Sequence, residues 1–145
     1  MADFVKLSRT DSFTVKYQIA DGKVYYDAAN WQELKKITSD DIEAFEVIES
    51  LFAIKTRELM QIIDNAEFTV MSDLEKANEL NPDKSLSNAT KRKQKADEIL
   101  SQDEQYTKSK SDLEVLNLER SRINRKVRAL TRAFITEYSN FTSRI

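Results

Sequence analysis

Gly22 is the only glycine and Pro82 the only proline in a chain of 145 residues. Tight turns draw on the positive φ that glycine tolerates and on the fixed φ of proline. A chain so poor in both makes few turns, so its elements must be long. Long helices, which keep their hydrogen bonds internal, are the economical solution. The proportions agree: 33% of the residues are charged and 40% hydrophobic, which suits a modest core under a large charged surface.

The single glycine marks the one place where strands are expected. In FTVKYQIADGKVYYDA, Phe13 to Ala28, Val15, Tyr17 and Ile19 alternate with Thr14, Lys16 and Gln18. Beyond Asp21-Gly22, Val24 and Tyr26 alternate with Lys23, Tyr25 and Asp27. Alternation on both sides of Asp-Gly predicts a β-hairpin. An isolated hairpin is marginal in water, so it must pack on the helices or on a partner. Asn30 to Ile37 reads as a short helical turn or linker.

Two helical runs follow. Asp40, with Glu43 three residues on, reads as a capping box. Phe45, Ile48, Phe52, Leu59, Ile62, Ala66, Val70, Leu74 and Ala77 then recur at helical spacing, to a stop at Asn81-Pro82-Asp83. Ser85, Ser87 and Asn88 are candidate caps for a second helix that continues to about Tyr138. From Tyr106 its apolar residues form a heptad. Leu113, Val127, Phe134 and Phe141 share the Tyr106 position, and Leu116, Ile123 and Leu130 hold the other. Arg120 stands in this seam where an apolar residue is expected. The predicted architecture is mainly α: a long antiparallel helical hairpin or coiled coil over 38–145, connected near 81–88. A small N-terminal β-hairpin and linker occupy 1–37. The seam residues Leu113, Leu116, Arg120, Ile123, Val127, Leu130 and Phe134 are expected to serve the core and a homo-oligomer.

The chemistry available is narrow. The chain has no cysteine and no histidine. That removes disulfides, thiolate catalysis, Cys-based metal sites and the usual base near neutral pH. One glycine cannot build a phosphate-cradling loop, and no serine has a histidine to activate it. The pairs Asp40/Asp41 and Asp103/Glu104 point about 100° apart on a helix, so neither converges on one atom. No enzyme, cofactor or metal site is expected. The opening MADFVKLSRTDSF has no apolar core fit for a signal peptide. No apolar run approaches the roughly 20 residues of a membrane span, so no membrane partner is expected.

Charge is distributed unevenly. Residues 1–82 carry 9 Lys and Arg against 16 Asp and Glu, a net −7; residues 83–145 carry 14 against 9, a net +5; together they make the −2 of the chain. The basic residues concentrate in LERSRINRKVRALTRAF, Leu118 to Phe134. There Arg122, Arg125 and Lys126 share neighbouring surface, and Arg128 and Arg132 form a second strip. Lys91, Arg92, Lys93 and Lys95 cluster near the expected connection. Such rows can neutralise a phosphate backbone, and arginine pairs with phosphate bidentately. They can equally pair with Glu43, Glu46, Glu49, Glu58 and Glu67 of the acidic helix, as flanking positions of coiled coils do. Tyr25 and Tyr138 are the candidates for stacking on bases; Tyr106, Phe134 and Phe141 fall on the seam and are expected in the core.

The stretch SNATKRKQKADEILSQDEQYTKSKSDLEVLNLERSRINRKVRALTRAF resembles the C-terminal helical region of UvsY-type recombination mediators of bacteriophages. The likeness lies in its rhythm. An acidic-aromatic step from Asp103 to Tyr106 precedes Leu113 and Leu116, and a long helix then reaches Arg128 to Arg132. It covers roughly residues 87–138. The resemblance implies a small non-enzymatic protein that binds single-stranded DNA and loads a recombinase, works as a ring-like oligomer and contacts a single-strand-binding protein. The basic residues of the last helix would carry the DNA contact. A phage-encoded chain of this kind is expected in the host cytoplasm. The competing expectation is a virion structural, adaptor or assembly protein that acts through coiled-coil contacts. A third is an inhibitor of a host protein whose acidic first half is the binding face.

Overall fold

The computed structural model describes residues 4–10, 13–38, 40–80 and 89–143. Its elements run β1 (Val5–Thr10), β2 (Phe13–Ala20), β3 (Lys23–Tyr26), α1 (Ala28–Ile37), α2 (Asp41–Leu80), α3 (Ala89–Ser101) and α4 (Glu104–Ser143). The fold is mainly helical, with a small antiparallel sheet near the N-terminus. Among the described residues no helix is long and apolar enough to cross a membrane. The stop at Asn81-Pro82-Asp83 and the caps Ser85, Ser87 and Asn88 lie outside the described residues.

The expected hairpin is β2 and β3. Asp21 and Gly22 take φ of 53° and 71°, and Ala20 pairs with Lys23 across the two-residue loop. Two positive φ values give the turn whose twist matches the flanking strands. The hairpin is only part of the sheet, however. β1 adds a third strand, with Val5 opposite Tyr17, Leu7 opposite Val15, and the Ser8 and Thr14 hydroxyls 3.0 Å apart. Its alternation is too brief to stand out in the sequence. Its pairing satisfies the backbone groups along that side of β2.

Asn30–Ile37 proves to be the greater part of a regular helix. Asp27 caps α1 by accepting the Asn30 N–H at 2.9 Å, while its own N–H donates to the Lys16 carbonyl. The buried Asn30 side chain then serves β2 where β3 has ended. It accepts the Lys16 N–H at 2.8 Å and donates to the Thr14 carbonyl at 2.7 Å. A side-chain amide thus replaces a strand residue, which satisfies two backbone groups that burial would otherwise leave costly. Thr38 closes α1, with both its N–H and its hydroxyl donating to the Leu34 carbonyl. Asp40 opens α2 by accepting the Glu43 N–H at 2.8 Å, as the capping pattern predicts.

The expected second helix is two helices. At the end of α3 the Ser101 hydroxyl donates to the Glu98 carbonyl, and the Gln102 and Asp103 N–H groups reach back three residues to Ile99 and Leu100. These tight bonds end the helix. Asp103 then caps α4, accepting the Tyr106 N–H at 3.0 Å. Asp103 is thus a helix start while remaining exposed.

The chain forms two compact units. One comprises residues up to Lys55 together with those from Val115 onward; the other is Thr56–Glu114. In the first, Val15, Tyr17, Leu34, Ile48, Phe52, Leu116 and Ile123 are fully buried, each worth on the order of 1.5–3 kcal/mol of burial. Tyr17 meets Phe52 edge to face at 5.0 Å. In the second, Ile63, Leu100 and Tyr106 form the core, with Ala66, Val70 and Leu113 against them. The seam holds at Leu116 and Ile123, is half-buried at Val127 and Leu130, and fails at Phe134, which is 65% exposed. Phe134 is thus not a core residue of the single chain. The side chains of Tyr138 and Phe141 lie outside those described.

Candidate nucleic-acid interface

The arginines of α4 divide into two groups. Arg120 is held at the seam. Its Nε donates to Glu49 Oε1 of α2 at 2.9 Å, and its Nη2 lies at the same distance. This is the cross-helix pairing that an acidic helix beside a basic one allows. Arg122 is held on its own helix. It donates through Nε to Glu119 Oε1 at 2.6 Å and also pairs with it through Nη2. Glu119 is buried, and the bond to it raises the Arg122 pKa above its ordinary value. The Tyr26 hydroxyl is buried against the same pair without a hydrogen bond of ordinary geometry. Burial first, and the Glu119 charge second, push the Tyr26 pKa well up, against the opposing pull of Arg122.

Arg125, Lys126, Arg128 and Arg132 are exposed, and none forms an ion pair with another described residue. At about 100° per residue, Arg125, Arg128 and Arg132 fall within about 60° of one another on the helix. The buried positions Leu116 and Ile123 lie on the opposite side. The strip therefore points away from the core of its own unit, with neighbouring side chains about 5–6 Å apart.

The second predicted cluster lies on α3, in the other unit. Lys91, Lys93 and Lys95 are exposed and Arg92 is half-buried. Lys95 pairs with Glu98 at 3.5 Å, and Lys91 and Arg92 engage other groups of the chain.

Two residues that the sequence pattern did not single out, Trp31 and Lys23, line concavities with arginines of α4. Trp31 of α1 packs on Tyr26 at 6.0 Å and on Phe45 at 5.4 Å. Tyr25, expected as a stacking residue, is 44% exposed and shares a concavity with both Trp31 and Arg122. Lys23, next to the turn, lines a concavity with Arg122 and Arg125. The alternation of β3 carried a signal for Tyr25, but nothing in the linear pattern joined Trp31 or Lys23 to residues some hundred positions later.

Among the described residues no group of three carboxylates could hold a metal ion. No protein-family model, curated protein or solved structure matches the chain.

Proposed function

We propose that the chain is a non-enzymatic accessory protein that binds single-stranded DNA through α4. The observation that supports this reading is the strip Arg125, Arg128 and Arg132: exposed, unpaired with any described residue, and opposite the buried seam. Had these arginines served only to join α4 to an acidic helix, they would sit where Arg120 sits. The further step, delivery of a recombinase to the strand, rests on the resemblance to phage recombination mediators. A second reading, an adaptor or virion component acting through coiled-coil contacts, draws on the exposed Phe134 and Ile135 of the same helix.

Fluorescence anisotropy of a labelled single strand over a salt series tests the proposal. The full chain should bind at low salt with a steep fall in affinity as salt rises. The triple change Arg125→Glu, Arg128→Glu, Arg132→Glu should abolish binding and leave the melting temperature unchanged. With the three arginines changed to alanine, the log–log salt slope should fall by about two units. No binding by the wild type at low salt would sink the reading in favour of the adaptor.

A further inference from the structure

Two neighbouring concavities of the first unit share Val24, Tyr26 and Arg122. One, of about 420 Å³, is lined by Tyr25, Tyr26, Trp31 and Phe45. The other, of about 480 Å³, carries Lys23 and Arg125. Both lie in the size range of small-ligand sites. The two walls are chemically different, and Arg122 belongs to both.

We propose that this paired cleft seats one unstacked nucleobase of a bound single strand, with the adjoining phosphates on Lys23 and Arg125. The inference rests on the strand-binding reading above and deepens it. A base needs a flat π surface and a donor at its edge. Trp31 and the 44% exposed Tyr25 supply the rings, and the Arg122 guanidinium, half-exposed at the rim, supplies the edge donors through the N–H groups that Glu119 leaves open. Trp31 is already fixed by its contacts with Tyr26 and Phe45, so little ordering is needed on binding. The charge is also suited. Arg122 neutralises Glu119, and that leaves Lys23 and Arg125 as the net charge of the second cavity. An apolar ligand would have no use for those cations, and an inorganic anion would have none for the rings. A base in a duplex keeps its faces stacked, so the cleft takes single strands.

Trp31 is the only tryptophan of the chain, so its emission reports on this cleft alone. Oligo-dT should bind by anisotropy and quench Trp31, and should bind more tightly than oligo-rU; tighter binding of oligo-rU with the quench would keep the base seat and overturn the DNA assignment. An abasic strand of equal length should bind through its phosphates without the quench. Tyr25→Ala should weaken binding of the base-bearing strand about five- to a hundredfold without changing the melting temperature, while Tyr25→Phe retains affinity. The inference is overturned if strands bind while Trp31 emission is unchanged and Tyr25→Ala binds like the wild type; α4 would then remain a strand-binding helix without a base seat. No anisotropy change with any strand at low salt would remove both proposals together.

Discussion

Tyr106 carries two loads in the second unit. Its ring is buried beside Ile63 and Leu100, and its hydroxyl donates to Glu67 at 2.7 Å. Burial first, and the bond to Glu67 next, raise its pKa from 10.0 to about 12. The neutral phenol is therefore favoured in the folded chain. Its contribution is whole below pH 10 and is lost as pH rises toward 12, because the unfolded chain ionises first. Tyr106→Phe should cost about 1.5–3 kcal/mol at pH 7, the usual loss of a hydrogen bond to a charged group. The gap between variant and wild type should narrow from pH 10 to pH 12, as urea midpoints at pH 7, 9 and 11 will register. The seam position of Tyr106 was legible from its spacing, and so was the oddity of Arg120, which the structure resolves as a bond to Glu49. The work of Asn30 was not legible. Its amide serves Thr14 and Lys16 only because α1 folds back on the edge of β2, and no local pattern encodes that approach.

The break between α3 and α4 shows what periodicity can and cannot deliver. No glycine or proline marks it, so the usual punctuation was missing. A quieter signal was present. Ala96 and Leu100, both buried, are four apart, but the next buried position, Tyr106, is six beyond Leu100. A single helical face recurs every three or four residues, so that gap requires a change of direction or phase. Asp103 falls inside it and supplies the cap. Asp103→Ala should lower stability by about 1 kcal/mol, and Asp103→Asn should keep most of it, since both native and Asn side chains accept the Tyr106 N–H. Thermal melts of the two variants decide this. If the alanine variant melts like the wild type, the cap contributes nothing. The β2–β3 turn was legible for the opposite reason: Asp21-Gly22 between alternating runs is strong local chemistry.

At the scale of the molecule, the seam loses its cover along α4. Leu116 and Ile123 are fully buried, Val127 and Leu130 partly, and Phe134 and Ile135 are 65% and 57% exposed. A heptad that continues past its intramolecular partners predicts association between copies. Sedimentation velocity at tens of micromolar should show species heavier than one chain. Phe134→Glu should return the protein to a monomer whose helix content is unchanged and whose melting temperature no longer depends on concentration, because that side chain is exposed in the single chain. The sequence also hid how the chain is parcelled. Both ends of the chain join in one unit and the middle forms the other, whereas a linear reading divides a chain into consecutive pieces.

That parcelling has a consequence for biosynthesis. Glu49 leaves the ribosome 71 residues before Arg120, its partner. At roughly 5–20 residues per second, the sheet, α1 and the start of α2 wait about 4–14 s for the helix that completes their core. During that wait the nascent chain exposes apolar surface that α4 later covers, which makes it a client for chaperones. A stop codon at position 115 would release a product lacking the part of α4 that completes this core, and proteolysis would clear it while full-length copies persist.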